Sequence, residues 1–403
     1  MNFIDIALCV VLLITFLLLI SPPVRNNKLW SATVTPLASI IGSGFLVSVP
    51  MLASAIGVWA VLAVVGLTAL AYLFGESIRF NIANAEPILE KAEAGHTIKS
   101  IETASHVVLI GAYFISVAYY LVLLATFTLK MANVDNPMVG KGIATALILL
   151  ICGVGATKGL KGIERTEKYT VSANLAVIAA LLVSLVIFGF TLPSEYSWGA
   201  VLQESHTFDW DTVRFLMGLV IIVQGFETTR FMGQMYNPNQ RIKAMRRAQV
   251  ISTCVYIVFF ILMLPLFPYF TSSADVAGFI DVIKRVSPWL PYVVAAGAVA
   301  SQFSASVADS IGASGLVSDT THKHITPKHA YLLIGIVSVL VIWGTDVVSI
   351  VALASRAFAL FYALQCLVST MVALGQGNDK RAMQFGVLGV VAMTIVIFGI
   401  PAG

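Results

Sequence analysis

Charged residues are scarce in this chain of 403 residues, where Asp, Glu, Lys and Arg together make up 11%. Soluble domains carry about 25% charged residues, and hydrophobic residues here reach 58%. The formal net charge is only +4, and the basic residues are spread over short loops instead of forming a patch. This composition predicts an integral membrane protein whose main partner is the lipid bilayer, and it argues against nucleic acid as a partner.

Recognisable catalytic and metal-binding patterns are also missing from the sequence. The cysteines (Cys9, Cys152, Cys254, Cys366) lie in separate apolar segments without C-x-x-C or Cys/His spacing. Neither a disulfide framework nor a zinc site is therefore indicated. The sequence contains no nucleophile elbow and no phosphate-binding loop. We expect a protein that is not an enzyme and that holds no metal or cofactor, apart from Na⁺ or H⁺ as a coupling ion.

Long apolar runs dominate what is present. A transmembrane helix needs about 20 apolar residues. Twelve runs qualify as candidate spans, near 3–21, 31–53, 56–79, 101–130, 140–157, 168–191, 211–233, 248–271, 289–317, 329–344, 346–373 and 383–400. No Lys or Arg precedes the first run and no small-residue cleavage site follows it. We therefore interpret it as a retained helix rather than a signal peptide.

Basic residues collect in the loops that follow the odd-numbered spans. The loop after the seventh span, for example, contains Arg241, Lys243, Arg246 and Arg247. The alternate loops contain only Lys130, Lys141, Lys284 and Arg285. Because cytoplasmic loops carry the excess of Lys and Arg, this alternation predicts a multi-pass protein of the cell (inner) membrane. Both termini are then on the outer, periplasmic side.

Two spans are interrupted by glycines near their middle. The second span reads "SIIGSGFLVSVP" and the seventh reads "IVQGFETTRF". The second interruption lies five spans after the first, so spans 2–6 (helices 1–5 of a repeat) and spans 7–11 (helices 6–10) form two sets. An odd number per set turns the second set upside down, which predicts the all-α membrane fold of an inverted-repeat transporter.

The predicted fold has about 12 transmembrane helices in four parts. Residues 1–30 form an extra N-terminal helix and a linker, and residues 31–191 form the first inverted repeat. Residues 192–373 form the second repeat, and residues 374–403 form a C-terminal transmembrane helix.

An unwound turn frees backbone N–H and C=O groups, which are costly when they face lipid. Such a turn is tolerated where it lines a cavity or holds a ligand, because helix N-termini suit a carboxylate and free carbonyls suit an ammonium group or Na⁺. The predicted substrate-binding residues are Gly42, Ser43, Gly44, Phe45, Gln224, Gly225, Phe226 and Glu227. The alternative is that the small residues serve close helix packing. Glu227, the acid at the second interruption, favours a substrate-binding site over helix packing.

At these residues the chain resembles the amino acid–polyamine–organocation (APC) transporter superfamily, whose LeuT-type fold is a five-plus-five inverted repeat. "SIIGSGFLVSVP" looks like the family's helix 1 motif, and "VQGFETTRFMGQMYNPNQRIKAMRRA" looks like its helix 6 motif with the following loop. "TKGLKGIERTEKYT" and "ALASRAFALFYALQCLV" are similar to segments at helices 5 and 10. The likeness covers roughly residues 31–373. The chain departs from the family in its helix before helix 1 and in having one span after the repeats.

Ionisable residues inside spans are costly and tend to be functional. Glu227 matches the glutamate of the helix 6 motif. It could serve gating or proton coupling, because a carboxylate held away from water can take up a proton near neutral pH, or it could bind the freed backbone N–H groups. Arg230 could pair with Glu227 or Asp309, and Asp309 with Arg356. We predict coupling or gating roles for these four residues.

Other ionisable residues are interpreted more simply. His106 lies inside the fourth span, where we expect a satisfied interior residue, with a proton relay as the alternative. Arg79, Glu102 and Arg214 lie near span ends, where we expect contacts with lipid headgroups or water alone.

The ninth span, which corresponds to helix 8 of the repeat, reads "AVASQFSASVADS". In Na⁺-coupled members of the family, hydroxyls of helix 8 and carbonyls of helix 1 hold a cation. The resemblance therefore assigns a candidate Na⁺ site to Ile41, Ser301 and Ser304. Proton-coupled relatives place a lysine of helix 5 in the same gap, and the sixth span has no lysine at that depth. This favours Na⁺ over H⁺, although serines also serve helix packing.

The resemblance implies a secondary active transporter, an ion-coupled symporter that moves a small amine-bearing solute, in particular an amino acid, by alternating access. The substrate carboxylate would bind backbone N–H groups around Ser43–Phe45, and its ammonium group would face carbonyls near Gln224–Phe226. Two alternatives stay open. One is a polyamine or organocation transporter, and the other is a sensor or receptor that keeps the binding site without transport.

Overall fold

The computed structural model describes residues 3–91, 95–157, 161–192, 209–270 and 277–401, with Ser43 and residues 161–168 described by their backbone alone. Within these ranges the chain forms helices and short connections, and no β-strand occurs. In the described ranges, ten helices are long and apolar enough to cross a membrane. One of these runs, Lys28–Glu90, contains two of the predicted spans, and the interrupted seventh span is not among the ten. The protein therefore has the all-α membrane fold that the sequence predicts.

Each predicted span coincides with a helix or, for the seventh, with an interrupted segment. The helices are α1 Phe3–Ile20, α2 Lys28–Ile56, α3 Ala60–Phe80, α4 His96–Met131, α5 Pro137–Thr157, α6 Lys161–Phe190, α7 Trp210–Met217, α8 Pro238–Met263, α9 Leu290–Thr320, α10 Pro327–Gly344, α11 Val347–Gly375 and α12 Asp379–Phe398. Shorter helices lie between them at Pro22–Arg25, Glu86–Glu90 and Gly278–Ile283. The helix α7 is short because it is only the first part of the interrupted span.

Local sequence signals determine where α2 and α8 begin. The side chain of Asn27 accepts hydrogen bonds from the N–H groups of Leu29 and Trp30, both at 3.0 Å. Asn237 and Gln240 form a reciprocal capping box at the start of α8. These side chains satisfy N–H groups that the first turn of a helix leaves without a carbonyl partner. Both helices therefore start at defined points beside the basic loops.

A glycine turn divides the long apolar run of residues 28–90 into two spans. Gly57 has φ of +53°, a value that favours glycine. A short 3₁₀ turn, Gly57–Trp59, then leads directly into α3. The second and third predicted spans are therefore separate helices with almost no loop between them.

The helices pack in the pairs that an inverted repeat would produce. The helix α2 packs on α8, and the interrupted seventh span packs on α3. Exchanging the two predicted sets of five helices puts the seventh span in the place of α2 and α3 in the place of α8. The exchange therefore converts one of these pairs into the other. In the same way α4 packs on α11, and α9 packs on α6. At the periphery α1 lies against α6 and α12 against α11. The residue limits of the two repeats stay a prediction.

The predicted interruption of the second span is wrong. The helix α2 runs unbroken from Lys28 to Ile56. Its glycines allow close packing instead: a methyl group on Gly44 would lie 2.5 Å from Cα of Ile222, and one on Gly42 would lie 3.0 Å from Oγ of Ser301. The packing alternative therefore applies to this span. Its N–H groups lie within a continuous helix and are not free for a substrate carboxylate.

Candidate functional site

The predicted interruption of the seventh span is present. After α7 ends at Met217, two 3₁₀ segments follow, Val220–Val223 and Phe226–Phe231. Between them Gly225 has φ of +118°, which strongly favours glycine. A methyl group on Gly225 would also lie 2.5 Å from Oγ of Ser39 on α2. The unwound turn is thus pressed against the middle of α2.

Side chains of the interrupted span itself and of two neighbouring helices satisfy backbone groups that the interruption frees. The N–H of Gly225 donates to Oε2 of Glu227 at 2.9 Å. The N–H of Ile221 donates to Oγ of Ser355 on α11 at 2.9 Å, and the hydroxyl of Tyr256 on α8 donates to the carbonyl of Ile222 at 2.5 Å. Because these groups have partners, the turn is stable away from water. The interpretation in which Glu227 binds freed N–H groups agrees with these contacts.

Glu227 is fully buried in an aromatic surrounding. Its Oε2 also accepts a hydrogen bond from the hydroxyl of Tyr362 at 3.0 Å, whereas Oε1 has no hydrogen-bond partner among the described residues. Phe226 stacks on Tyr362 with ring centroids 5.2 Å apart. Gln224 donates to the hydroxyl of Tyr120 on α4 at 3.0 Å. The turn therefore presents one free carboxylate oxygen beside aromatic rings of α4 and α11.

The site residues predicted on α2 contribute packing to this arrangement. Gly42 and Gly44 make the close approaches given above. Phe45 stacks on Phe259 of α8 with ring centroids 4.1 Å apart, and so belongs to an aromatic cluster with α8. Ser43 lies within the helix, and its side chain is outside the described part of the structure. The unwound turn thus lies against a continuous helix instead of a second break.

Arg230 is buried and forms neither of the ion pairs predicted for it. Its Nη2 lies 2.8 Å from Oε1 of Glu102 on α4, and its Nη1 donates to the amide oxygen of Gln365 on α11. Gln365 in turn donates to Oε2 of Glu102 at 3.2 Å. The side chain of Arg230 therefore points from the unwound turn toward α4 and α11.

The expectation that Glu102 and Arg79 meet only headgroups or water is wrong for both. Glu102 is the counter-ion of Arg230, and Nε2 of His106 lies 3.0 Å from its Oε1. This contact agrees with His106 as a satisfied residue. Arg79 is buried at the end of α3 and donates to the amide oxygen of Gln249 on α8 at 2.5 Å. Both residues therefore connect helices inside the protein.

A second ion pair, with a buried arginine and a half-buried carboxylate, extends these contacts toward the basic loops. Arg241 on α8 binds both carboxylate oxygens of Glu86, at 3.0 and 2.6 Å, and also donates to the carbonyl of Arg230 at 2.7 Å. We call Glu86, Glu102, Arg230, Arg241 and Gln365 the polar network. It lies where α3 ends and where α4 and α8 begin, on the side of the loops predicted to be cytoplasmic.

Asp309 and Arg356 do not form the predicted pair. Asp309 is buried on α9 and accepts a hydrogen bond from Ser116 of α4. Arg356 is exposed, and its Nε donates to the carbonyl of Val396 on α12 at 2.6 Å. Ser355, one residue earlier, faces the unwound turn, so residue 356 is turned about 100° away from it.

A cavity of about 20 Å³ lies between α2, α6 and α9. This is enough room for one water molecule or one small ion. Of the residues predicted for the cation site, Ile41 and Ser301 line the cavity, and Ser304 does not. Asn174 of α6 also lines it and donates to Oγ of Ser301 at 3.2 Å. The predicted cation site therefore coincides in part with a real void.

Gln302 is the residue of this cavity that the sequence analysis missed. Its Nε2 donates to the carbonyl of Gly42 at 2.8 Å, while its buried Oε1 has no partner among the residues that the structure describes. The carbonyl of Leu46 also lacks its usual helical donor, because residue 50 is a proline without an N–H, and Leu46 lines the same cavity. Uncharged oxygens of this kind are ligands that a hard cation accepts. The signal that could have identified Gln302 in the sequence is its uncharged amide inside an apolar span.

The comparison with protein families decides the class of the protein. A family model described as "APC superfamily transporter" matches residues 22–399. This chain belongs to the APC transporter superfamily. An Aquifex aeolicus (strain VF5) protein described as "Uncharacterized protein" is 36% identical over 387 residues, which cover 95% of this chain and 94% of the relative. The resemblance predicted from the two glycine motifs is therefore confirmed.

In this APC transporter the C-terminal helix also holds the interrupted span. The N–H of Ile400, just after α12, donates to the carbonyl of Arg214 on α7 at 3.1 Å. The Nε of Arg214 donates to the carbonyl of Phe398 at 3.2 Å, so the expectation that Arg214 meets only headgroups or water is also wrong. A methyl group on Gly218 would collide with the carbonyl of Ile400. The end of α12 thus caps α7 just before the chain unwinds, a contact that no motif in the sequence indicated.

Proposed function

We propose that this protein is an ion-coupled secondary transporter that moves a small amine-bearing solute by alternating access. The observation that supports this most is the unwound turn at Gln224–Glu227, where a buried carboxylate keeps one free oxygen among aromatic rings. A carboxylate in such surroundings binds an ammonium group through a strong, charge-assisted hydrogen bond. The amino-acid hypothesis relied on free N–H groups of α2. Because α2 is wound through that region, we define the solute by its amine.

The polar network serves as the inner gate in this proposal. We propose that α2 and the seventh span, together with α3 and α8, rock against the remaining helices. Arg230 then lies on the moving set, while Glu102 and Gln365 lie on α4 and α11 of the other set. Opening toward the cytoplasm requires this buried ion pair to separate and become hydrated. The pair therefore holds the inner side closed until the two sets move.

The cavity between α2, α6 and α9 is proposed as the site of the coupling cation, with Na⁺ favoured over H⁺. The helix α2 lines the cavity from the moving set, whereas α6 and α9 line it from the static set. A cation bound by Ser301, by Oε1 of Gln302 and by the carbonyl of Leu46 would hold the sets together. Its occupancy would thereby influence which side of the membrane is open.

The proposed location is the cell (inner) membrane, with both termini on the outer side. The support is the distribution of basic residues, which are concentrated beside the polar network and after the odd-numbered spans.

Reconstituted protein is expected to accumulate a radiolabelled amine-bearing solute, found by screening amino acids and polyamines, when an inward Na⁺ gradient is imposed on proteoliposomes. Gln302→Leu keeps a similar volume and removes the amide oxygen. Hydrogen bonds to charged groups contribute about 1.5–3 kcal/mol, so we expect the Na⁺ concentration for half-maximal uptake to rise roughly tenfold or more. The measurement is initial uptake rate against Na⁺ concentration.

Gln384→Leu is the matched control, since Gln384 is exposed on α12 and its variant should keep the wild-type Na⁺ dependence. Uptake that depends on a proton gradient and does not depend on Na⁺ would reject the proposed cation site. Binding of solute without accumulation under any gradient would favour the sensor or receptor alternative over a transporter.

A further inference from the structure

The end of α12 is held by arginines of two other helices. The last carbonyl groups of a helix have no donor within the helix, and positive side chains suit this end. The carbonyl of Val396 accepts a hydrogen bond from Nε of Arg356 on α11 at 2.6 Å. The carbonyl of Phe398 accepts one from Nε of Arg214 on α7 at 3.2 Å. One helix end therefore connects α7 to α11.

The main chains of α7 and α12 also meet directly. The N–H of Ile400 donates to the carbonyl of Arg214 at 3.1 Å. Two glycines lie at the contact: a methyl group on Gly399 would lie 3.4 Å from N of Gly218, and one on Gly218 would collide with the carbonyl of Ile400. Main-chain atoms cannot rotate aside as side chains do. A displacement of α7 by about 1 Å relative to α12 therefore breaks the contact.

The same turn of α11 holds the interrupted span at a second point. Oγ of Ser355 accepts from the N–H of Ile221 at 2.9 Å, and the next residue is Arg356. The helices α7, α11 and α12 thus form a closed triangle of contacts around the residues where the chain unwinds, 218–221. In the proposed transport cycle α7 belongs to the moving set, whereas α11 and α12 belong to the static set. Movement of the seventh span away from α11 at this level must therefore break the triangle.

This triangle lies apart from the polar network. Arg356 and Gln365 are nine residues apart on α11, which is about 14 Å along the helix axis. The triangle is nearer the first residue of α11 and the last residue of α12, on the side predicted to be outer. Arg230 connects the seventh span to α4 and α11 on the inner side. The seventh span is therefore tied to the static set on both sides of its unwound turn, by Arg214 on one side and by Arg230 on the other.

We propose that residues 396–400 of α12 act as an outer clasp, which keeps the outer side closed until it releases α7. The inference rests on the proposed transport function and adds a second gate to it. Opening toward the outside separates α7 from α11, and α12 binds both. The two links, α7 to α12 and α12 to α11, act in series, so the loss of either one releases α7 from this path. Arg356 then has a gating role through α12 instead of through Asp309.

Distances between two spin labels on the purified full-length protein in nanodiscs test this proposal. One label replaces Trp59, which is 50% exposed just before α3 in the moving set. The other replaces Met138, which is 66% exposed at the start of α5 in the static set. The exposed cysteines, Cys9 and Cys254, are first changed to serine. Neither labelled residue belongs to the clasp, and double electron–electron resonance between them measures outward opening.

Two variants break one link each. Arg356→Met removes the link between α11 and α12, and Gly218→Ala forces apart the link between α7 and α12. Without solute, each variant should raise the ratio of outward-open to outward-closed molecules roughly fivefold, the order expected from the loss of one hydrogen bond to a charged group. Because the links act in series, the double variant should show the same ratio as each single variant. Arg356→Lys keeps a charged donor and should return the ratio toward the wild-type value.

Gly386→Ala and Lys380→Met, both on α12, are the matched controls. No atom lies within 4 Å of a methyl group on Gly386, and Lys380 is exposed at the opposite end of α12 from the clasp. Both controls should therefore keep the wild-type ratio. Ile400→Pro removes only the N–H donor to the carbonyl of Arg214, and it takes the place of Gly218→Ala if that variant fails to fold.

The outcomes separate the clasp from the proposed function. Wild-type distances in the variants of Arg356 and Gly218, or effects that add up in the double variant, would overturn the clasp. Uptake by proteoliposomes together with unchanged distances would do the same and leave transport standing. A shared shift of the expected size supports the clasp, even where proteoliposomes accumulate no solute and the transport proposal fails.

Discussion

Arg230→Met is expected to lower the free energy of unfolding by about 3–5 kcal/mol, the cost of leaving one member of a buried ion pair without its partner. The side chains of Arg230 and Glu102 are 4% and 10% exposed and lie 2.8 Å apart. Removing the guanidinium also removes one donor to the amide oxygen of Gln365. The measurement is reversible unfolding of the purified protein in mixed micelles with rising SDS content.

The matched control for this variant is Arg214→Met in the same interrupted span. Arg214 pairs with Asp211 at 2.9 Å, with side chains 33% and 70% exposed, and donates to the carbonyl of Phe398 at 3.2 Å. An exposed pair contributes about 0–1 kcal/mol and an ordinary hydrogen bond about 0.5–1.5 kcal/mol, so this variant should lose clearly less stability than Arg230→Met. Adding Glu102→Gln to Arg230→Met should recover part of the loss, because no charge is then buried alone. Equal stability of the Arg230 and Arg214 variants would mean that the polar network does not exist as described.

Gly44→Ala is expected to destabilise the protein by about 1–3 kcal/mol, the range for overpacked interiors, and to reduce transport. The added methyl group would lie 2.5 Å from Cα and Cβ of Ile222. Main-chain atoms cannot rotate away as the end of a long side chain can. The seventh span must then shift, and the unwound turn after Ile222 shifts with it. The measurements are the same SDS unfolding and the initial rate of solute uptake.

Gly66→Ala on α3 provides the control for the same chemical change. No atom lies within 4 Å of the added methyl group there, and alanine favours helix by about 0.8–1.0 kcal/mol over glycine. This variant should be equal to or more stable than the wild type and should transport normally. A Gly44 variant that matches it in both respects would show that α2 and the interrupted span are not in close contact.

The spans and the seventh-span interruption are predictable because they depend on composition within one segment. Apolar runs have to cover the bilayer thickness wherever they pack, and Gly225 followed by Glu227 places a flexible residue beside an acid in one short stretch. Both features can be recognised without knowing any neighbour. The resemblance to the family was likewise carried by short motifs within single segments, and the family model confirms it.

The unbroken α2 shows where such prediction ends. A pair of glycines in an apolar span fits both an unwound turn and a close helix contact. The choice depends on what lies opposite, and Ile222 comes nearly 180 residues later in the chain. Only the three-dimensional arrangement shows that a main chain presses on Gly44.

The contacts of Glu102 in the polar network were predicted wrongly for a related reason. Glu102 lies near the start of its predicted span, but α4 begins earlier, at His96, and brings the carboxylate inside the protein. Its pairing with Arg230 depends on how three distant segments pack. Gln302 and Gln365 carry a signal of the same kind as the ionisable residues, because uncharged amides in apolar spans are also costly to bury.

An electron cryomicroscopy structure of the protein in lipid nanodiscs, with an amine-bearing solute found in the uptake screen, is the most direct test of a single unwound turn that carries the substrate site. We predict ligand density beside Glu227, with the seventh span unwound at Gly225 and α2 helical through residues 42–44. Ligand density held by unwound backbone at residues 42–45, or a seventh span that is helical through Gly225, would contradict this arrangement.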